Sequence, residues 1–70
     1  MSAQHVYKKL ELVGSSTDSI EAAIRNAIET VSATVNNMEW FEVVETRGHV
    51  ANGEVAHFQV VLKVGFRVDP

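Results

Sequence analysis

Residues 38–67 read MEWFEVVETRGHVANGEVAHFQVVLKVGFR and predict one long β-hairpin. Asn52-Gly53 lies between two runs that are rich in valine, phenylalanine and tryptophan. This pair favours a type I′ turn because both central residues of that turn need a positive φ angle. With these two residues as the loop, Ala51 faces Glu54. Each further step along one strand is then matched by one step along the other.

This register predicts which side chains share a face of the hairpin, since successive side chains of a strand point to opposite faces. One face pairs Phe41 with Val64, Val43 with Leu62 and Arg47 with Phe58. The other face pairs Trp40 with Gly65, Glu42 with Lys63, Val44 with Val61 and Thr46 with Gln59. The register also places His49 opposite Ala56, so that His49 and His57 point to opposite faces.

Two elements precede the hairpin. Val6–Val13 alternates along its length and predicts a first strand, which Gly14-Ser15-Ser16 breaks. Ser16 is expected to cap the following helix, and Asn36-Asn37 to end it. The helix is predicted from one apolar stripe at three- and four-residue spacing, which comprises Ile20, Ala23, Ile24, Ala27, Ile28, Val31 and Val35.

The element order predicts an α+β fold, β-α-β-β, with a three-stranded antiparallel sheet wrapped around one helix. The third strand is the most apolar and suits the centre, which gives the strand order 2-3-1. The other face of the sheet has no second helix to cover it. It is expected to present Trp40, Val44, Thr46, Gln59, Val61 and Arg67, and an uncovered face of this kind is an interface.

The chain of 70 residues is expected to form a single domain over residues 1–70. A chain of this size buries only about 60% of its unfolded surface, and the absence of cysteine excludes disulfides and thiolate metal sites. The hydrophobic content is nevertheless 46%. Since a small core cannot use all of it, we expect an obligate oligomer.

The net charge is −3, and the lysines and arginines are scattered, which argues against nucleic acid or an anionic membrane as a partner. No apolar run approaches the roughly 18 residues of a membrane span. The first residues, MSAQHV, lack the features of a signal peptide. We therefore expect a cytoplasmic protein.

Neither a metal site nor an enzyme active site is predicted. The three histidines do not converge in the predicted register, and no helical His-x-x-x-His pair occurs. No nucleophile motif is present, and the glutamates lie along strands without a sheltered cleft for acid–base chemistry. Gly14-Ser15-Ser16 lacks the lysine and glycine spacing of a phosphate-binding loop. No catalytic residue is assigned.

Trp40 has two interpretations, interface packing and ligand stacking. The opposing Gly65 would leave room for a flat ring, and the Gln59 amide could both donate to and accept from a heteroaromatic edge. Arg47 and Arg67 could hold a phosphate. Gln59 and Gly65 lie about 20 Å apart at the usual strand rise. A ligand that uses Trp40 and Gln59 therefore needs either strongly bent strands or two subunits.

These residues resemble the dodecins, a family of small flavin-binding proteins. The resemblance spans nearly the whole chain and is carried by VYKKLELVGSS, the apolar helix, MEWFEVVETRGHV and HFQVVLKVGFRV. It is closest to the bacterial branch. It implies a hollow homododecamer of 23 symmetry in which paired flavins stack between tryptophans of different subunits.

By this resemblance, Trp40 stacks on the isoalloxazine ring and Gln59 hydrogen-bonds its polar edge. Arg47 and Arg67 would contact the flavin or its phosphate. FMN is the implied ligand, with riboflavin, FAD and coenzyme A as alternatives. The implied role is to store and buffer free flavin and quench its photochemistry without turnover. The alternatives are a structural assembly module without flavin and a coenzyme A-binding carrier.

Overall fold

The computed structural model describes residues 4–68, which form one sheet and one helix. The elements are β1 (Val6–Ser16), α1 (Ile20–Val31), β2 (Met38–Ala51) and β3 (Glu54–Val68). All strand pairs are antiparallel, and the strand order is β1-β3-β2. The predicted fold class and the central position of the third strand are confirmed.

The hairpin turn follows the predicted chemistry. Asn52 and Gly53 both have positive φ angles, 55° and 76°, and Ala51 pairs with Glu54. The predicted pairs are also correct at the base of the hairpin, where Trp40 pairs with Gly65 and Phe41 with Val64. The remaining confirmed pairs are Glu42 with Lys63 and Val43 with Leu62.

Between these two regions the predicted register is wrong by one residue. A register shift between Val43 and Glu45 and a second between His49 and Val50 enclose the displaced segment. Such irregularities are β-bulges, in which an extra residue on one strand moves its neighbours to the other face. The observed pairs are Glu45 with Val61, Thr46 with Val60, Arg47 with Gln59, Gly48 with Phe58, and His49 with His57.

The shift corrects four predicted placements. Arg47 pairs with Gln59 instead of Phe58, and His49 pairs directly with His57 instead of Ala56. Thr46 lies opposite the buried Val60, on the helix side, instead of beside Gln59. Val44 is the extra residue at the first shift, so it has no partner in the ladder opposite Val61.

The junction between β1 and α1 differs from the prediction. Strand β1 continues through Gly14 to Ser16, paired with β3 throughout. Gly14 lies so close to the helix that a Cβ there would overlap the backbone carbonyl of Ala23. The N-cap is Ser19, whose hydroxyl accepts a hydrogen bond from the Ala22 N–H at 3.0 Å. Ser16 accepts one from the Asp18 N–H and thereby forms the preceding turn.

The helix also ends earlier than predicted. Its last residue is Val31, and the Ser32 hydroxyl donates to the Glu29 carbonyl at 2.7 Å. Thr34 donates in the same way to the Val31 carbonyl at 3.3 Å. Side-chain bonds of this kind compete with the helical ladder. Asn37 does adopt a left-handed conformation, with φ 66°, but it does so in the loop before β2.

The core lies between the helix and one face of the sheet. Ala23 of α1 packs against Val60, Leu62 and Val64 of β3, and all four are almost fully buried. Leu12, Ile24, Ala27, Ile28 and Met38 surround them. The opposite face, which we call the open face, carries His57, Gln59, Val61, Lys63, Gly65 and Arg67 of β3 together with their cross-strand partners.

Candidate functional site

Trp40 lies at the base of the hairpin, on the open face. It pairs with Gly65, and the six-membered ring of the indole lies directly over that glycine. A Cβ at position 65 would overlap three ring atoms, so glycine is what allows the indole to approach the strand. The tryptophan keeps 38% of its surface exposed. One side of the ring is thus supported by the protein while the residue remains accessible.

Two neighbours contact the indole, and a third holds one of these two. Tyr7 of β1 meets it edge-on, with ring centres 5.2 Å apart and an interplanar angle of 69°. The indole N–H donates to a carboxylate oxygen of Glu42 at 3.2 Å. The same oxygen is 2.9 Å from the Lys9 ammonium. We call Trp40, Gly65, Tyr7, Glu42 and Lys9 the tryptophan end of the open face.

Glu42 connects the aromatic and charged parts of this end. The hydrogen bond from Lys9 and then that from the Trp40 indole lower the pKa of the Glu42 carboxyl below its ordinary value. Both bonds favour the carboxylate form, since each donates to it. The Glu42 side chain is therefore ionised at neutral pH and accepts the indole N–H.

A second group of polar side chains lies further along the same face. The Arg47 Nε–H donates to the Gln59 amide oxygen at 3.2 Å, and one terminal nitrogen of Arg47 is 3.7 Å from Glu45. The next pair toward the turn is His49 and His57, whose imidazoles lie with ring centres 5.3 Å apart. We call these five residues the arginine end of the open face.

Arg67 lies near the tryptophan end, since it pairs with Tyr7 on β1. A terminal nitrogen of its guanidinium is 4.0 Å from a carboxylate oxygen of Glu39. Its backbone N–H donates to the Asn37 carbonyl at 3.0 Å, which joins this part of β3 to the loop before β2.

The four residues predicted to bind ligand therefore form two groups. Trp40 and Arg67 lie at one end of the face, and Arg47 and Gln59 at the other. The β1–β3 ladder is continuous between Gln59 and Gly65. Their separation is therefore the roughly 20 Å that six strand residues span. One chain does not bring all four residues around a single ring system.

Sequence reasoning missed the residues that hold the indole. Tyr7 and Lys9 lie on the first strand, and their place beside Trp40 depends on the β1–β3 register, in which Lys9 pairs with Gly65. Alternation along Val6–Val13 gave that strand two faces but no register against β3. Glu42 was recognised as a partner of Lys63, whereas its short ion pair is with Lys9.

Two small open clefts involve predicted ligand residues: Trp40 lines one of about 190 Å³ and Arg47 one of about 260 Å³. A groove of about 570 Å³ lies between the helix and β1, lined by residues that include Leu12, Gly14, Asn26, Ala27 and Thr30. None of the four predicted ligand residues lines it. Within residues 4–68 no three or more histidine, cysteine, aspartate or glutamate side chains are grouped to hold a metal ion. The helix in this range is not long and apolar enough to cross a membrane.

Comparison with known proteins gives a consistent result. The family model for dodecin matches residues 6–69. The dodecin of Thermus thermophilus is 48% identical over 64 residues, which cover 91% of this chain and 93% of that protein. The solved dodecin from Streptomyces davaonensis is 47% identical and superposes with a TM-score of 0.91, covering 97% of this chain and 100% of that one.

A more distant solved structure is the calcium dodecin of Mycobacterium tuberculosis, described as a calcium-chelating immunodominant antigen with a novel calcium-binding site. It is 27% identical, covers 93% of each chain and has a TM-score of 0.79.

Dodecins are small binding proteins that take ligands such as flavins and associate with copies of themselves. The family match covers all three strands and the helix, including the tryptophan end and the arginine end of the open face. The agreement extends from the order of the elements to the identity of nearly half of the aligned residues. This chain belongs to the dodecin family.

Proposed function

We propose that this protein binds FMN in stacked pairs between the Trp40 side chains of two subunits, within a hollow homododecamer of 23 symmetry. It stores and buffers free flavin and quenches its photochemistry. The observation that carries the proposal is the indole of Trp40, which is supported over Gly65 and oriented by Tyr7 and Glu42, yet remains 38% exposed on an open face.

Stacking chemistry supports a flavin at this position. A flat aromatic ring gains most from an indole that is already held in place, because no side-chain freedom is lost on binding. A flavin in face contact with an indole also has an electron donor next to its excited state, which returns the flavin rapidly to the ground state. A residue that only filled a core would not need both an orienting hydrogen bond and an accessible ring.

A second subunit completes the site in this proposal. The tryptophan end and the arginine end are about 20 Å apart on one chain, which exceeds the fused-ring part of a flavin. Two copies that meet through their open faces can place Trp40 of one beside Gln59 and Arg47 of the other. The small core supports association, since among residues 4–68 only five hydrophobic side chains are buried.

The arginines decide which ligand is preferred. Arg47 carries a guanidinium beside the Gln59 amide, and Arg67 lies near the tryptophan end. Guanidinium groups bind phosphate through charge-assisted hydrogen bonds, which favours FMN over riboflavin. FAD and coenzyme A also carry phosphates, so coenzyme A is the second ligand that these arginines would accept.

The proposed role involves no turnover. Two flavins stacked between tryptophans leave little access for a substrate, and no residue of the open face is assigned a catalytic role. The cytoplasmic location expected from the sequence remains a prediction.

Flavin titration tests the proposal. Purified protein is titrated into FMN, riboflavin or FAD while the flavin fluorescence is recorded. The binding of coenzyme A is measured by calorimetry. We expect strong quenching at one flavin per chain, tightest for FMN. Trp40→Ala should weaken binding by about 1–3 kcal/mol, the contribution of one aromatic stack. Tyr7→Phe is the matched control, because it keeps the ring beside Trp40.

Three results would contradict the proposal. Unchanged FMN affinity in Trp40→Ala would remove the stacking role. Absence of quenching with every flavin would leave Trp40 as a packing residue in a structural assembly. Turnover of an oxidoreductase substrate well above that of free FMN would contradict the non-enzymatic role.

A further inference from the structure

His49 and His57 form a directly opposed pair on the open face, near the hairpin turn. The bulge between Val43 and Glu45 creates this pair, since the unshifted register would place Ala56 opposite His49. The imidazole planes are nearly parallel, at 9°, and their centres are 5.3 Å apart. His49 is exposed and His57 is half-buried. Neither imidazole has a hydrogen-bond partner within residues 4–68.

The spacing of the two rings matches that of two imidazoles on one metal ion. Nitrogen ligands lie about 2.0–2.1 Å from a tetrahedral zinc ion, which places two of them about 3.4 Å apart and their ring centres about 5 Å apart. The observed 5.3 Å differs little from this value. The rings must turn for their nitrogens to converge. That rotation is cheap because the torsion at the imidazole is broad and the stack is loose.

We infer that His49 and His57 chelate one divalent transition-metal ion at the arginine end of the open face. The ligand class is the imidazole-binding series that includes Cu²⁺, Ni²⁺ and Zn²⁺, with Cu²⁺ bound most tightly. Water completes the coordination in a single chain. Calcium is not the expected ion, because it takes six to eight oxygen ligands.

The charge around the pair is compatible with a bound cation. Arg47 occupies the neighbouring cross-strand pair, and its guanidinium is engaged by Gln59 and lies 3.7 Å from Glu45. The carboxylate offsets the positive charge nearest to the histidines. Within one chain the pair lies eight strand residues from Gly65, so the metal does not touch the tryptophan end of the same chain.

The chain offers an internal control for this inference. It contains three histidines, and His5 is exposed just before β1, away from the paired two. If binding needs chelation, loss of either His49 or His57 should remove most of the affinity. A pair of ligands on one scaffold binds about 10²-fold or more tightly than its separate members.

The experiment is calorimetric titration of the full-length protein with CuSO₄, followed by electron paramagnetic resonance of the copper. We expect one Cu²⁺ per chain with hyperfine structure from two nitrogens. His49→Gln and His57→Gln should each weaken binding by about 10²-fold. The double variant should lose little more, while His5→Gln should bind as the wild type does. Circular dichroism and light scattering verify that each variant folds and assembles.

Three outcomes would overturn the inference. The wild type could fail to bind copper, the two single variants could retain wild-type affinity, or His5→Gln could lose the site. Flavin quenching is measured on the same samples. Measured before copper is added, its presence or absence tests the proposed flavin site, whereas copper affinity and the nitrogen hyperfine structure test the histidine pair.

Discussion

The two ends of the open face reach the same side of the sheet by different routes. The tryptophan end lies where β2 and β3 pair in the register that the Asn52-Gly53 turn sets. The arginine end lies beyond the first register shift, where a regular ladder would turn Arg47 toward the helix. The tryptophan end keeps the register counted from the turn because two shifts cancel, whereas the arginine end depends on the bulge between them.

The two ends also differ in how firmly their side chains are held. The indole of Trp40 has a glycine beneath it, Tyr7 at its edge and Glu42 on its N–H. The guanidinium of Arg47 has one hydrogen bond to Gln59 and a 3.7 Å ion pair to Glu45. This difference suits a ring-stacking surface that is preorganised and polar contacts that adjust to the ligand.

The largest effect is expected from a variant that prevents association. It separates the tryptophan end of one subunit from the arginine end of another. Val13 lies between the two ends on β1, opposite Val61, and is 58% exposed. Val13→Glu would place an unpaired charge in the proposed interface, at a cost on the order of several kcal/mol. We expect loss of the assembly in multi-angle light scattering and, with it, loss of flavin quenching.

Val61 is not the residue for that test. Only 7% of the Val61 surface is exposed in the single chain, so a charge there would destabilise the protomer itself. Val13→Thr, which keeps the shape of the side chain and adds only a hydroxyl, is the control. An intact assembly in Val13→Glu would mean that copies do not meet through the middle of the open face.

The second prediction concerns a variant that disrupts the tryptophan end alone. In Gly65→Ala the new methyl group overlaps the indole, so Trp40 must move. Overpacking of this kind costs about 1–3 kcal/mol. Chemical denaturation should show this loss, and FMN quenching should fall while the assembly persists.

The double variant Gly65→Ala/Trp40→Ala identifies the cause. Removal of the indole removes the overlap, so the two stability losses should not add. Additive losses would mean that glycine is needed at position 65 for a reason other than the tryptophan.

The tryptophan end could be predicted from sequence in part, because its geometry follows from local signals. Asn52-Gly53 requires positive φ angles, and counting back along the strands from that turn reaches Trp40 and Gly65 correctly. The count succeeds at the base only because the two shifts around Glu45–His49 cancel. Its partners on β1 could not be placed, since a strand that returns through a helix has no turn that sets its register.

The arginine end could not be predicted, for a physical reason. Val43, Val44 and Glu45 contain no glycine or proline that would mark a bulge, and valine is favoured in any strand. The bulge turns Thr46 and Gly48 to the helix side of the sheet, opposite Val60 and Phe58, and no local sequence signal marks that choice. The predicted position of the helix N-cap was wrong for a similar reason. Ser16, Thr17, Asp18 and Ser19 are all capping residue types, and only the position of the helix on the sheet chooses Ser19.

The third prediction concerns the coupling free energy between Arg47 and Gln59 at the arginine end. Arg47→Ala, Gln59→Ala and the double variant form a thermodynamic cycle. We expect a coupling of about 0.2–1 kcal/mol, since the hydrogen bond is exposed to water. Denaturation at one fixed protein concentration gives this value, because the stability of an assembly depends on concentration. A coupling well above this range would mean that the Arg47–Gln59 pair is as preorganised as the tryptophan end.

The smallest expected effect concerns the pH dependence of the tryptophan end. The pKa of Glu42 is lowered by its bonds from Lys9 and from the Trp40 indole, so the folded protein holds the carboxylate more strongly than the unfolded chain does. The stabilisation is complete above the unfolded value of about 4.3 and is lost as the pH falls through the lowered folded value. Because Glu42 is exposed, the change is small.

Glu42→Gln removes this titration while its amide oxygen can still accept the indole N–H. We therefore expect the stability of the wild type to fall more steeply than that of the variant below pH of about 4.3. Intrinsic fluorescence of Trp40, the chain's single tryptophan, reports both unfolding and the position of the ring. Parallel pH profiles would show that the carboxylate does not hold the indole. A steeper loss of stability in acid for the wild type would show that the folded protein holds the Glu42 carboxylate through its bonds from Lys9 and the indole.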